Sequence, residues 1–377
     1  MAGIYIHIPF CRQACHYCNF HFTTSLTRKN ELIAALLKEL DLRQNYLQNE
    51  AVETIYLGGG TPSLLEVSDL EKLLGSIWKN FSTSPSTEIT LEANPDDISE
   101  EKIREWLDTG INRLSIGVQS FFEEDLLWMN RAHNAKQAKD SLELACRHFK
   151  NITVDLIYGT PMLTDDKWEK NVEKILSFDI PHISCYALTV ESKTALQKMI
   201  KLGKTEDVNP DKQSDQFLLL MRWLKDAGYE HYEISNFAKP GFISRHNSSY
   251  WRGKKYLGIG PSAHSFDGAS RQWNISNNNL YIGSIEKGII PYDKEILTPT
   301  QQLNEYIMTS LRTMEGLDLN QVEKVFGHQL RTGSRKFIER GLMTQDKGHL
   351  KLTKEGKLLA DGIAAELFFE EINKIVQ

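Results

Sequence analysis

Six short apolar runs punctuate the first two-thirds of the chain: 3–9 (GIYIHIP), 52–58 (VETIYLG), 88–94 (EITLEAN), 112–119 (NRLSIGVQ), 152–158 (ITVDLIY) and 182–188 (HISCYAL). Each is rich in Ile, Val, Leu or Tyr, as a buried strand is. Between them apolar residues recur at helical spacing. Leu32, Ile33, Leu36, Leu37 and Leu40 make one stripe, and Leu70, Leu73, Leu74 and Ile77 a second. Ser68 with Glu71 has the form of a capping box for that second helix. Trp168, Val172, Ile175 and Leu176, then Phe217, Leu220, Met221 and Leu224, continue the series. Strands alternating with helices predict an α/β fold, a parallel sheet with right-handed crossovers. Six units suit a partial (β/α)6 barrel, and a doubly wound sheet is the alternative.

The pattern changes after residue 228. The stretch 229–297 is less regular and rich in Asn, Ser, Gly and aromatics. Residues 299–377 then read as a smaller C-terminal α+β unit, with helices near 301–313, 318–327 and 331–340. A hairpin at 341–353 and a last helix follow. Three helices and a wing predict a winged-helix-like shape. The expected division is 1–235, 236–298 and 299–377.

Composition adds little to the fold and something to function. With 377 residues, 41% apolar and 25% charged, the chain suits one large domain plus a smaller one. Its net charge of −6 provides no global basic field for nucleic acid or an anionic membrane. Residues 301–377 hold 11 Lys+Arg and 11 Asp+Glu, so a DNA-binding winged helix, which should be basic, is disfavoured. That unit reads as a structural cover or partner-docking domain. No apolar run approaches the ~18 residues of a membrane span, and the first residues lack a signal-peptide pattern. The expected location is the cytoplasm.

Three of the five cysteines fall within eight residues, as Cys11-x3-Cys15-x2-Cys18 just after the first strand. In a reducing compartment such a cluster reads as a metal site rather than as disulfide staples. Three thiolates can hold three irons of a [4Fe–4S] cubane and leave the fourth iron open. A structural zinc completed by His7, His16 or His21 is the other reading. Cys146 and Cys185 read as core residues.

Further polar residues gather where predicted strands end. Gly58-Gly59-Gly60-Thr61-Pro62 closes the second strand, Glu92 the third, Gln119 the fourth, Asp155 the fifth and Ala187 the sixth. The C-terminal rim of a βα barrel is where ligands bind, and unpaired buried carboxylates are costly, so the placement calls for a polar ligand. Each residue taken singly has a plainer reading, as a helix cap or loop anchor.

With those residues in view, the cysteine spacing after a first strand resembles the radical SAM superfamily. IYIHIPFCxxxCxYC, LGGGTPS, LEANP, RLSIGVQSF, DLIYGTP and GIGPSAHSF are similar to the family of the oxygen-independent coproporphyrinogen III oxidase, HemN, and its heme chaperone relative, HemW. The resemblance covers nearly the whole chain. It implies a radical SAM core over 1–235, a connecting segment over 236–298 and a HemN-type C-terminal domain over 299–377. It also implies a [4Fe–4S] cluster on Cys11, Cys15 and Cys18 whose open iron chelates S-adenosylmethionine. Tyr5 and Tyr17 would then pack on S-adenosylmethionine, Gly59, Gly60 and Thr61 would meet its amino-acid end, and Glu92, Gln119, Arg131, Asp155 and Ala187 would line the rest. No catalytic residue is assigned.

Three features separate the two branches of that family. The oxidase pattern carries a fourth cysteine where this chain has Phe20, and it has a longer segment ahead of the motif than the ten residues found here. His246-Asn247-Ser248-Ser249-Tyr250-Trp251 is similar to the HNxxYW motif of the chaperone branch. His246 is therefore a candidate axial ligand for heme, with Tyr250 and Trp251 as porphyrin-facing surface. The same three residues also fit a satisfied histidine in an aromatic core. The expected function is that of a heme chaperone passing heme to an apo-hemoprotein. Anaerobic coproporphyrinogen III oxidation in porphyrin metabolism is the runner-up, and a radical SAM enzyme with another substrate the third reading. No nucleic-acid partner is expected.

Overall fold

The computed structural model describes residues 2–370; the last seven positions of the expected C-terminal unit lie outside the described residues. Six parallel strands form the core: β1 (Ala2–Ile8), β2 (Val52–Gly59), β3 (Thr83–Ala93), β4 (Arg113–Gln119), β5 (Ile152–Tyr158) and β6 (His182–Ala187). They lie side by side in chain order. A doubly wound sheet reverses its strand order at a switch point; this one does not, so the barrel-type reading holds. The helices Lys29–Leu42, Val67–Asn80, Glu100–Asp108, Ala135–His148, Asp165–Ser177 and Pro210–Asp226 connect or follow the strands. Their apolar stripes bury Leu36, Leu40, Leu74, Ile77, Trp106, Trp168, Ile175 and Leu220 against Ile4, Ile6, Ile55, Leu91, Ile116 and Val154 of the sheet.

The barrel does not close. Beyond β6 the sheet continues antiparallel through β8 (Asn236–Ala238) to β7 (Glu230–Glu233). Beyond β1 it continues through β9 (Lys255–Ile259), parallel to β1, and then antiparallel through β10 (His264–Phe266), β11 (Ser270–Asn274) and β12 (Tyr292–Ile296). The irregular stretch of the sequence is thus mostly sheet extension, in strands of three to five residues too short for a periodic signal.

One buried network ties this extension to the barrel. Glu39, on the helix Lys29–Leu42, is 0% exposed. Its carboxylate accepts from Arg43 Nε at 2.9 Å, Gly260 N at 2.9 Å, Asn274 Nδ2 at 2.8 Å and the Tyr281 hydroxyl at 2.5 Å. Arg43 donates onward to Gln272 and Asn274, both at 3.0 Å. An ion pair in a dry core is tolerated only with this kind of full hydrogen bonding.

The C-terminal unit has its own apolar cluster, including Ile307, Leu311, Leu330, Phe337 and Leu350. It holds the helix Pro299–Leu311, β13 (Leu317–Asp318), the helix Lys324–Glu339, and the wing hairpin β14 (Met343–Asp346) and β15 (His349–Leu352). Two expectations change here. The helices expected at 318–327 and 331–340 are a 3-10 turn, Leu319–Gln321, and one continuous helix, because Gly327 and Gly333 are accommodated inside it. Ser68 and Glu71 form no capping box: the helix starts at Val67, and its N-cap, Glu66, makes no side-chain hydrogen bond.

Candidate functional site

The loop after β1 carries Cys11, Cys15 and Cys18, all free thiols. It is pinned from several sides. Cys11 N donates to Thr23 O at 3.0 Å, and Thr23 N to Pro9 O at 2.6 Å. Arg12 pairs with Asp97 at 2.7 Å, and Asn130 Nδ2 holds Ala14 O at 2.7 Å. His16 is gripped by Met129 O at its backbone and Trp128 O at its ring. A cysteine loop held this way presents its thiols in a fixed arrangement, which lowers the ordering cost of taking up a cluster.

The thiols open onto a cavity of about 490 Å3 at the C-terminal ends of β2–β6. The structure brings Tyr17, Gly59, Gly60, Thr61, Glu92, Gln119, Arg131, Asp155 and Ala187 together around the three cysteines. Gly59, at φ +108°, would drive a Cβ to 2.4 Å from the His7 ring, and a Cβ on Gly60 would meet the carbonyls of Ile8 and Phe10 at 2.7 Å. Only glycine lets this strand end approach the cysteine loop so closely. Gln119 sits at φ 67° where the β4–β5 register shifts, a conformation that non-glycine residues hold only when their surroundings enforce it.

Arg131 organises the wall beside the thiols. Its Nη1 reaches Cys15 Sγ at 3.4 Å and the Tyr17 hydroxyl at 3.3 Å; its Nη2 donates to Asn94 Oδ1 at 2.7 Å and Gly117 O at 2.8 Å. Asn94 passes the chain on to Thr61, whose hydroxyl lies 3.5 Å from Cys11 Sγ. Glu92 accepts from the Tyr56 hydroxyl at 2.7 Å and Gly59 N at 3.0 Å. Burial pushes its carboxyl up to about 7 against the pull of the Tyr56 bond. Asp155 is raised to about 6, also by burial, against the pull of Ser184. It lies in the middle of β5 rather than at its end, paired with Gly117 and Ser184, so its side chain reaches the cavity from the barrel interior. Tyr56, Asn94, Ser115, Ser184 and Tyr186 line the same cavity and were not singled out in the sequence. Their strand positions next to Glu92, Asp155 and Ala187 were the available signal.

These residues fit a cluster and a cationic ligand. Among the described residues no three His, Cys, Asp or Glu side chains converge on a single metal ion. Three thiols sharing one cavity suit a cubane in which three irons take one thiolate each and the fourth stays open. Burial raises the Cys11 thiol against the pull of the Thr61 hydroxyl. Burial, with Cys15 and Cys11 close by, pushes the Cys18 thiol up to about 11, so ligation has to displace its proton. Two buried carboxylates with raised affinity for protons offer a sulfonium or ammonium group the opposite charge.

Two groups of sequence candidates fall outside this cavity. Tyr5 lies on the same face of the sheet as its β2 neighbour Tyr56, on whose ring it stacks, but one strand further from the main cavity; its hydroxyl meets His7 Nδ1 at 3.1 Å. It lines a neighbouring cleft of about 370 Å3 with Phe20, His21, Tyr250, Tyr256 and His264. The expectation for His246 also changes. Its ring is 1% exposed, with Nδ1 2.8 Å from Thr54 Oγ1 and Nε2 2.8 Å from the Tyr250 hydroxyl, and it stacks on Tyr56 at 4.9 Å. Both nitrogens are engaged, and burial lowers the imidazole to about 3, so His246 is a satisfied core histidine here and presents no free ligand atom. Trp251 does not share a face with Tyr250. Its ring lies under the Arg312 guanidinium at 5.2 Å and lines a third cavity beside the C-terminal unit. Asn247 is the member of that segment that reaches the main cavity. Cys185 is buried on β6, and Cys146 is half-buried on the helix Ala135–His148.

Comparison with known proteins agrees with this geometry. The radical SAM superfamily model matches residues 5–175, and the HemN C-terminal domain model matches residues 297–359. The chain is 33% identical to the heme chaperone HemW of Lactococcus lactis, covering 98% of both chains. It is 33% identical to the heme chaperone HemW of Bacillus subtilis, over 96% of this chain and 98% of that one, and 31% identical to that of Escherichia coli, over 98% of both. The solved structure of coproporphyrinogen III oxidase (HemN) from Escherichia coli, a radical SAM enzyme, superposes with a TM-score of 0.85 at 22% identity, over 97% of this chain and 90% of that one. At that identity the likeness speaks for the fold.

Proposed function

The chain belongs to the radical SAM superfamily and, within it, to the heme chaperone HemW family, and on that premise we propose that it takes up heme and hands it to apo-hemoproteins. The observation that carries this reading is identity of about a third with heme chaperones along almost the entire chain. Cys11, Cys15 and Cys18 are the proposed cluster ligands. Gly59, Gly60, Thr61, Glu92, Gln119, Arg131, Asp155 and Ala187, with Tyr17, are the proposed walls of an S-adenosylmethionine site. A bound cluster of this type supplies an open iron and one-electron chemistry. The protein's own contribution is positioning. Arg131 holds the cysteine loop through Cys15 and Tyr17 and keeps positive charge beside the thiolates. Glu92 and Asp155 place negative charge at the opposite wall, and the glycines let the ligand approach backbone.

Free thiols and a thiolate-held cluster call for a reducing compartment, so the cytoplasm is the proposed location. Among the described residues no helix is long and apolar enough to cross a membrane. Coproporphyrinogen oxidation is not expected, because Phe20, 68% exposed, stands where the oxidase pattern carries its fourth cysteine. The test is anaerobic reconstitution followed by heme titration, heme transfer to an apo-hemoprotein, and a coproporphyrinogen III assay on the same sample. Saturable heme uptake and transfer without protoporphyrinogen formation is the expected result. Turnover of coproporphyrinogen with no heme uptake would reverse the assignment.

A further inference from the structure

With His246 committed to the core, a heme chaperone needs another place for its cargo. The cleft beside the cluster cavity has the chemistry for it. Its walls are Tyr5, Tyr250, Tyr256 and Phe20, and its volume of about 370 Å3 lies within the ~300–1,000 Å3 of small-molecule sites. The aromatic rings are locked to one another: Tyr250 meets Tyr256 edge-on at 4.7 Å, and Tyr5 stacks on Tyr56. Phe20 leaves two-thirds of its surface uncovered at the mouth. Rigid apolar walls with an uncovered aromatic edge suit a flat apolar ring.

Three histidines border this cleft, and their ring nitrogens differ in availability. His7 spends one on the Tyr5 hydroxyl and the other on His21 O at 2.8 Å. His21 spends Nε2 on Asn278 at 2.7 Å. His264 makes no side-chain hydrogen bond among the described residues and is exposed to the cleft; its ring faces Trp273 across the β10–β11 pair at 6.3 Å. We propose that this cleft is the heme site and that His264 is the axial ligand to the heme iron. The inference rests on the chaperone reading above and assigns its cargo a place.

Partial burial and nearby Arg271 lower the His264 imidazole, which keeps it in the neutral form that binds iron. The residue is also firmly placed. It follows the turn Gly260–Ala263, whose first backbone N–H donates to buried Glu39 and whose first carbonyl accepts from Asn274 at 2.9 Å. Heme here would be a neighbour of the cluster cavity, because Asn19 and Phe20 line both spaces.

The experiment uses the full chain, reconstituted anaerobically, and titrates it with heme as wild type, His264→Ala, His264→Cys, His21→Ala and His246→Ala. Cluster absorbance and S-adenosylmethionine affinity serve as fold controls, since His264 does not line that cavity. Expected results are at least a tenfold loss of heme affinity in His264→Ala, restoration of the ligated Soret band by added imidazole, and a thiolate-type ferrous-carbonyl spectrum in His264→Cys. Wild-type affinity and spectrum in His264→Ala, or a spectrum that changes in His21→Ala or His246→Ala instead, overturns this site and leaves the chaperone reading standing. A wild type that takes up no heme overturns both.

Discussion

Replacing Glu39 by Ala tests how the sheet extension is held to the barrel. The substitution removes the acceptor for one charged and three neutral donors and leaves the Arg43 guanidinium, 4% exposed, with only neutral oxygens. Breaking one side of a buried ion pair costs ~3–5 kcal/mol. The stranded Gly260 amide and Tyr281 hydroxyl act in the same direction, each costing ~1–3 kcal/mol where water does not reach it. Against a total stability of ~5–15 kcal/mol this is a severe loss. Glu39→Met combined with Arg43→Met removes both charges at similar volume, and buried pairs replaced this way often lose little or even gain. The double variant is therefore expected to recover most of the stability. The assay is urea unfolding under anaerobic conditions, followed by tryptophan fluorescence, comparing midpoints at unchanged m. A Glu39→Ala shift worth less than ~1 kcal/mol would refute the reasoning, because it would mean water reaches the network. A double variant worse than the single one would refute it separately, by showing that the hydrogen bonds rather than the pairing of charges carry the effect.

Replacing Cys11, Cys15 or Cys18 by Ala is expected to abolish bound iron and sulfide, read by chemical analysis and visible absorption; one zinc and no sulfide in the wild type would contradict the cluster. Glu92→Ala and Asp155→Ala are each expected to weaken S-adenosylmethionine binding by ~1.5–3 kcal/mol with the cluster intact, measured by equilibrium dialysis. Since burial raises Glu92 to about 7 and Asp155 to about 6 and the carboxylate is the form that attracts a cation, affinity should fall as pH drops below 7, and Glu92→Gln should leave only the part of that slope nearer pH 6. Acid should destabilise the fold through its buried neutral histidines. His133 and His246 are lowered to about 3 and His182 lies well below its usual value, all by burial, so the unfolded state binds protons first as pH falls below ~6.5. Each contributes up to ~2 kcal/mol of loss by pH 5. Glu92 and Asp155, raised on folding, oppose this in the same range. The clean readout is the stability–pH slope of His246→Gln against wild type, which should be shallower by one proton.

The barrel was legible because each of its strands is a buried parallel strand with a near-continuous apolar run, and because the cysteines and Gly58–Gly60 sit at strand ends where ligands gather. Asp155 was placed at the right cavity but at the wrong height, since a mid-strand carboxylate looks the same as a rim one in a seven-residue run. Tyr5 and Tyr56 share a face, paired side by side in β1 and β2 and stacked; what separates them is the strand, since only Tyr56 lines the main cavity, and the sequence did not show that. His246 read both as a ligand, on its likeness to the HNxxYW motif, and as a core histidine; the sequence did not show that Tyr56, far away in the chain, packs on its ring together with Tyr250. His264 was visible only as a letter in GIGPSAHSF, because its freedom depends on what its neighbours in space leave unpaired. Glu39 and Arg43 looked like ordinary helix charges four residues apart; the partners that bury them lie more than 200 residues away.

The closeness of Gly59 and Gly60 to the cysteine loop also bears on how this chain can drift. Every single-nucleotide change that alters a glycine codon, other than to a stop, adds a Cβ. At position 59 that atom falls on the His7 ring, and at position 60 it falls between two backbone carbonyls that have no rotamer to move aside. Neither codon therefore has a neutral missense neighbour one step away. Variation among living copies should be confined there to synonymous changes, while Gly75, Gly283 and Gly362, which face open space, are free to wander.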